Sequence, residues 1–368
     1  MSSHYGFIAS LLAIMGILLF APVVFKAERK LHDWLEACSV LGVLALALSI
    51  GRGEFAYGLL GLVSLRHALT VRLIAPTAVL YLLASAVLLG ATAAALWLQA
   101  PGWAFSFSCC AFATRAGLAP LHAGVVELCT VNRNAFIQHN SSLLALVMLH
   151  LYHIDHFEIA YALAPWLVLS GTVIALLYAL TALVQKELGG LFRTSTLMHA
   201  GMLLAAIGAG GRGHFGAALL VAVTLVLAVG GLGLMTTAIE NRQGPISLLG
   251  PGIGRARAFP RLAAAFAFFA AAGVGMPGTA GFIADDLLLH ALWQESAVAT
   301  VIIIFASAIL AVASLNILAK GFFGPPLQTR VPDLLARERG AVLVMVILLL
   351  VLGLFPQVLV STAEIALG

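Results

Sequence analysis

The sequence predicts an all-α fold, a polytopic transmembrane helix bundle of about 12 spans with two broken helices and an inverted repeat, and three observations predict it. Of 368 residues, 62% are hydrophobic and 9% are charged, against about 45–50% and about 25% in soluble domains. The intervals between the charges are apolar stretches of roughly 17–25 residues, the length that crosses a bilayer. Two of those stretches carry a proline well inside them, Pro120 and Pro277. This composition excludes a soluble globular protein. The partner it requires is the lipid bilayer.

Hydropathy over a window of about 19 residues justifies each element in order. The first segment, 6–24, has no basic leader and no small-residue cleavage site, so it is expected to be a retained span and not a signal peptide. Segments 35–50, 54–65, 73–98, 104–128, 135–152 and 159–183 follow, then 191–209, 213–236, 259–292, 297–319 and 340–361. Segment 54–65 is shorter than a bilayer needs, and loop charge decides whether it crosses. If all segments cross, one side holds Lys26, Arg29, Lys30, Arg66, Arg72, Arg133, Lys186, Arg193, Arg242, Arg255, Arg257, Arg261, Lys320, Arg330, Arg337 and Arg339, and the other holds Arg52 and Arg212. Omitting the third span would divide the same residues between the two sides. The asymmetry is what the positive-inside rule demands. It therefore predicts a multi-pass cell (inner) membrane protein with both termini external. The net charge of +4 belongs to cytoplasmic loops, so no nucleic acid is expected as a partner.

Proline removes a backbone donor and clashes with the preceding turn, so an apolar helix holding it at mid-length is bent or broken. The fifth segment holds Arg115-Ala-Gly-Leu-Ala-Pro-Leu-His122. The tenth holds Met276-Pro-Gly-Thr-Ala-Gly281 followed by Phe282-Ile-Ala-Asp-Asp286. Paired broken helices point to an inverted repeat and an ion or substrate path. The expected organisation is one transmembrane domain, 1–368, with N-terminal spans in 1–53. Two repeat-like halves follow in 54–160 and 161–320, then a C-terminal loop and span in 321–368.

Ionisable groups inside spans are costly and usually face a bundle interior or one another. Arg115, His122 and Glu127 lie in the fifth segment, and Arg115 and His122 share a helix face if Pro120 only bends the chain. Gln138, His139 and Asn140 lie in the sixth, His199 in the eighth, and Asp285, Asp286 and His290 after the second break. Together they can form a polar line through the membrane, as a proton path requires. Taken singly, His199 and His290 read as satisfied structural groups. Arg115 and Asp285, each beside a break, read as functional.

The external run His150-Leu-Tyr-His-Ile-Asp-His-Phe-Glu158 has metal-binding residue types but the spacing of no known site, and no metal is expected. No GxGxxG, P-loop or CxxC is present, so no cofactor is expected. Cys38, Cys109, Cys110 and Cys129 lack framework or metal spacing and read as small core residues.

Three stretches resemble one family, the antiporter-like membrane subunits shared by respiratory complex I, membrane-bound hydrogenases and Mrp-type cation/proton antiporters. Arg115-Ala-Gly-Leu-Ala-Pro-Leu-His-Ala is similar to that family's Gly-Lys-x-x-x-x-Pro-x-His-x-Trp broken helix, with Glu127 where the family has the Asp of Leu-Pro-Asp-Ala. Ala182-Leu-Val-Gln-Lys-Glu-Leu-Gly-Gly-Leu-Phe-Arg-Thr-Ser-Thr-Leu-Met-His-Ala-Gly-Met is similar to its Ala-x-x-Gln-x-Asp-Leu-Lys-Arg-Leu-Leu-Ala-Tyr-Ser-Ser-x-x-x-x-Gly. Gly275-Met-Pro-Gly-Thr-Ala-Gly-Phe-Ile-Ala-Asp-Asp resembles its Gly-x-Pro-x-x-x-Gly-Phe-x-x-Lys. Order and spacing agree from about residue 54 to 320.

The departures concern mechanism. Gly58, in Tyr57-Gly-Leu-Leu-Gly-Leu-Val-Ser64, stands where the family has a glutamate, with Glu54 one turn earlier as a substitute. The lysine of the first break becomes Arg115, whose guanidinium stays protonated and cannot relay a proton. The lysine of the second break becomes Asp285. The family's central His and Lys residues have no counterpart in 217–235, and one or two of its usual fourteen spans are missing before residue 70. The resemblance implies a non-catalytic membrane-arm subunit of a proton- or cation-translocating redox complex, NADH:quinone oxidoreductase-like or hydrogenase-like, partnered by other membrane-arm subunits. Its altered path would run through Glu54, Arg115, His122, Glu127, His139, His199 and Asp285. Three alternatives remain open at this level: a structural non-pumping subunit, a partner in a zinc-dependent carbon dioxide hydration complex, and a stand-alone secondary transporter.

Overall fold

The computed structural model describes residues 2–25, 31–49, 53–131, 143–144, 146–147, 158–209, 215–250, 252–325, 331–357 and 359–360. Most of segment 135–152, with Gln138, His139 and Asn140, and the run from His150 to His156 lie outside the described residues. Among the described residues every regular element is a helix, with one isolated bridge between Glu187 and Ser247. In chain order the helices are α1 (Ser2–Phe25), α2 (Leu31–Ser49), α3 (Gly53–Val71), α4 (Pro76–Trp97), α5 (Pro101–Ala116), α6 (Ala123–Val131), α7 (Glu158–Leu183) and α8 (Leu188–Ala209). Then come α9 (Phe215–Thr224), which runs through a π-helical segment (Leu225–Val229) into α10 (Gly230–Gln243), the short α11 (Arg255–Ala258), α12 (Pro260–Gly273), α13 (Ala280–Glu295), α14 (Ala297–Phe322) and α15 (Ala336–Leu354). Among the described residues four stretches, Pro76–Trp97, Ala162–Leu183, Gly216–Gln243 and Ala297–Phe322, are long and apolar enough to cross a membrane.

The short third segment becomes α3, 19 residues and so about 28 Å long. Hydropathy stops at Leu65 because Ser64, Arg66, His67 and Thr70 are polar. The helix continues because those groups find partners: Ser64 and Thr70 donate to the carbonyls of Leu60 and His67 at 3.1 and 2.8 Å, and Arg66 reaches Ser39 and Glu36 of α2.

Several helices start on proline at the first position, where its fixed φ is favourable and its missing N–H is no loss. Their N-cap residues Ala75, Ala100 and Phe259 supply no capping side chain. Two of these ends are capped instead by distant carboxylates. Glu127 accepts the N–H of Ala78 at 2.7 Å, and Asp333 accepts those of Arg261 and Leu262 at 2.9 and 3.2 Å.

The core is built around α8 and the α9–α10 rod, both buried along their length. Helix α7 lies close against α8 because glycines face the contact. A Cβ at Gly171 would sit 2.5 Å from the Ala205 nitrogen, and one at Gly201 would sit 2.7 Å from the Ala175 nitrogen. Small residues are what allow membrane helices to approach this closely. The outer faces are apolar, with Leu62, Leu80, Val87, Leu169 and Val312 exposed, as lipid-facing surface requires. Cys129 is buried, but Cys38 and Cys110 are exposed, correcting their assignment to the core; a thiol is apolar enough to face lipid as readily as protein.

On the expected cytoplasmic side the C-terminal helix is clamped to the rest. Arg242 pairs with Glu338 at 2.6 Å, with both side chains almost buried, and also donates to the carbonyls of Pro332, Asp333 and Ala238. Further along α15, a Cβ at Gly353 would lie 2.3 Å from the Thr279 carbonyl carbon, so this helix closes directly on the second proline segment.

Candidate functional site

The first break is complete. Helix α5 ends at Ala116, Gly117 caps it in the left-handed region (φ 71°), the Ala119–Pro120 peptide is cis, and α6 starts where the His122 carbonyl accepts the N–H of Val126 at 2.9 Å. Glycine is the residue that takes this conformation at a helix end without steric cost. The chain therefore does not merely bend at Pro120, and Arg115 and His122 do not share a helix face.

Arg115 is buried at the end of α5, and its Nη1 donates to the Ser64 hydroxyl of α3. Ser64 belongs to a buried face, Tyr57, Leu60, Ser64 and His67, spaced at i, i+3, i+7 and i+10. The guanidinium groups of Arg115 and Arg66 are within electrostatic reach of the His67 ring. A cavity of about 10 Å³ beside Tyr81, Thr114, Arg115 and Val125 has room for about one water.

Two carboxylates belong to the helices around Arg115, Glu54 of α3 and Glu127 of α6. Glu54 lies on α3 ten residues before Ser64, which is about 15 Å along the helix axis. Glu127 is committed to the N-terminus of α4, where a carboxylate also suits the positive end of the helix dipole. His122 is half-buried, its ring edge-on to Tyr178 of α7 at 6.0 Å between centroids. Its Nδ1 is buried and has no hydrogen bond among the described residues.

The second break separates α12 from α13. Gly275 and Gly278 both take positive φ (78° and 85°), and the Thr279 hydroxyl donates to the Met276 carbonyl at 2.7 Å. Asp285, one turn into α13, folds back on this loop, with its carboxylate oxygen 2.6 Å from where a Cβ of Gly275 would be. It makes no hydrogen bond or ion pair with another described residue. Gly281 lets α13 start hard against the last turn of α12, and the Thr224 methyl lies 3.4 Å from its Cβ position. Thr224 is buried, its hydroxyl has no hydrogen bond among the described residues, and it immediately precedes the π-helical segment, a distortion frequent at functional positions.

Helix α8 lies between the two breaks. Leu197 reaches to 3.2 Å from the Cβ position of Gly117 in the first. Two residues on, and so on the other flank of the helix, His199 bonds the Ser195 carbonyl through Nδ1 at 2.7 Å and reaches the backbone of Gly273 at the second.

Of the residues expected in a path, Arg115 and His122 flank the first break, Asp285 sits on the second, and His199 lies between. Glu127 is a helix cap, Glu54 stands apart, and His139 lies outside the described residues. Sequence reasoning missed Tyr57, Ser64, His67 and Thr224. The signal for the first three was available, as polar residues at helical spacing within an apolar segment. His290 is exposed, and among the described residues it bonds the Asp286 carbonyl at 2.8 Å and pairs with the Asp286 carboxylate at 3.5 Å. Among the described residues no three His, Cys, Asp or Glu side chains converge on a metal-sized site.

The family model described as NADH:quinone oxidoreductase/Mrp antiporter, transmembrane, matches residues 101–311, more than half of the chain and both breaks. NADH-quinone oxidoreductase subunit M of Escherichia coli (strain K12) is 29% identical over 213 residues, 56% of this chain and 40% of that protein. Subunit N of Rhodococcus opacus (strain B4) is 25% identical over 190 residues, 50% of this chain and 35% of that one. The match to these curated relatives thus spans well under half of their length. Among solved structures, a chain of respiratory complex I from Thermus thermophilus with bound NADH superimposes with a TM-score of 0.83 at 22% identity, covering 98% of this chain and 84% of that one. A chain of the Mrp complex from Dietzia sp. DQ12-45-1b gives 0.72 at 18% identity, covering 98% and 83%. By the matched residues and the fold, the chain belongs to the NADH:quinone oxidoreductase/Mrp antiporter transmembrane family.

Proposed function

We propose that this chain is a membrane-arm subunit of a redox-coupled complex that moves protons or cations across the cell's inner membrane. Both termini are external, other membrane-arm subunits are its neighbours, and the halves 54–160 and 161–320 form an inverted repeat. The observation that carries this reading is the pair of broken helices on either side of one buried helix, α8, with Arg115 and His122 flanking the first break and Asp285 on the second. A broken helix exposes backbone carbonyls and N–H groups at membrane depth, tolerated only where protein or a water-lined cavity satisfies them.

Within this arrangement Arg115 acts as a fixed positive charge held by Ser64. The side chains whose chemistry allows a change of charge are His122, His199 and Asp285, since an imidazole or a carboxyl group can take up and release a proton and a guanidinium cannot. In proteoliposomes of the whole complex, His122→Gln and Asp285→Asn each keep size and hydrogen bonding and remove the titration. Proton translocation per turnover should fall in both. Unchanged ratios in assembled complexes would leave a sealed, structural subunit. That second reading is favoured by Gly58, which lacks a carboxylate at its position.

A further inference from the structure

We propose that the groove between α7 and α14 seats one phospholipid whose headgroup carries a primary ammonium, as in phosphatidylethanolamine. The groove has a volume of about 310 Å³, within the range of small-molecule pockets. Its walls are Val168, Leu169 and Val173 of α7 and Val298 and Ile302 of α14. From Pro165 to Val173 it runs eight residues along α7, about 12 Å.

Its two ends differ in chemistry. The inner end is apolar apart from Thr172, whose hydroxyl is taken up by the Val168 carbonyl of its own helix at 2.7 Å. At the other end stand Glu295 and Ser296, and the neighbours in sequence of the lining residues Pro165 and Glu295 include the exposed Trp166 and Trp293, the residue type that collects at the membrane–water boundary. A slot that begins with a polar rim and continues as a mainly hydrocarbon-lined wall for about 12 Å, most of the roughly 15 Å of one leaflet's hydrocarbon, fits an acyl chain under a headgroup.

The headgroup follows from charge. Glu295 is exposed and makes no hydrogen bond or ion pair with another described residue, while the Ser296 hydroxyl is occupied in accepting the Ala299 N–H at 3.3 Å. The outward-facing group at the rim is therefore an anion. It repels a lipid of net negative charge and attracts an ammonium. A primary ammonium donates hydrogen bonds to the carboxylate and a quaternary one does not, so an ethanolamine headgroup should outcompete choline, and both should outcompete glycerol. The seat does not depend on whether the chain conducts ions.

The test uses the full chain in mild detergent, stripped of lipid and titrated with phosphatidylethanolamine, phosphatidylcholine and phosphatidylglycerol, with bound lipid counted by native mass spectrometry. One phosphatidylethanolamine should bind, preferred over phosphatidylcholine by up to about fivefold, the ceiling for one exposed ion pair. Glu295→Gln should erase the preference, Glu295→Lys should turn it towards phosphatidylglycerol, and Val173→Trp, which fills the slot, should weaken all three alike. Equal binding of the three lipids to the wild type would overturn the proposal, as would a preference that survives Glu295→Gln. In the assembled complex, a cross-link from Val173→Cys to a neighbouring subunit would show a protein helix in the slot and overturn it equally.

Discussion

The second break depends on a contact that a single methyl group should open. Gly281 is the second residue of α13, and a Cβ built there would lie 2.0 Å from the carbonyl oxygen of Ala272, where ordinary contact begins at 3.4 Å. Gly281→Ala therefore demands a separation of about 1.4 Å. The obstacle is backbone on the last turn of α12, so no side-chain rotation relieves it. Either α13 starts further out, carrying Asp285 away from Gly275, or the end of α12 unwinds and disturbs the backbone that His199 reaches. Overpacking of this kind typically costs about 1–3 kcal/mol. Gly58 and Gly90 are the controls, since a Cβ at either meets nothing within 4 Å, and alanine there should be neutral or slightly stabilising. Thermal unfolding followed by intrinsic fluorescence, with all three variants in the same detergent, reads the difference. Gly281→Ala should unfold several degrees below wild type and lower the proton ratio of the complex, and Gly58→Ala should do neither. A Gly281→Ala protein that unfolds with its wild-type and control counterparts would refute the close approach of α12 and α13.

Glu338→Ala leaves the Arg242 guanidinium without its carboxylate in a nearly closed site, and breaking a buried pair typically costs about 3–5 kcal/mol. Unfolding midpoints and protease cutting before α15 should both report the loss, with Glu338→Gln intermediate. Glu127→Ala should cost about 0.5–2 kcal/mol, the value of a helix cap, and leave proton translocation unchanged; a collapse of translocation in a stable variant would return Glu127 to the path. Gly353→Leu should separate α15 from the second break and lower the yield of assembled complex on native gels. For topology, Asp155→Cys should react with an impermeant thiol reagent from the external side of oriented vesicles, and labelling from the cytoplasmic side would reverse the assignment of both termini.

Glu127 shows why a residue's type and depth do not settle its role. Within the segment it is a carboxylate seven residues past a proline, which fits an ion path. In the fold it meets a helix that begins Ala75-Pro76-Thr77-Ala78 with no capping side chain of its own. The exposed N–H groups of that turn have no solvent to bond in a membrane, so a carboxylate on a neighbouring helix supplies the bond. Asp333 does the same for α12 outside the membrane. Both roles depend on a pairing of chain ends more than 45 residues apart.

The order of helices, the two breaks and the family were legible in the residues themselves, because each rests on local physics. Apolar length sets a span, proline with glycine ends a helix, and motif spacing survives within one segment. Only the tertiary structure decided that Arg115 meets Ser64, and that α8 separates the breaks with Leu197 on one and His199 on the other. It also decided that α3 runs on through Arg66 and His67, which a hydropathy window must score as an end. The physical reason is that in a membrane the polar groups choose partners across helices, and the rotation and depth of each helix are set by close contacts such as Gly171 on Ala205 and Gly281 on Ala272, which no one-dimensional pattern encodes.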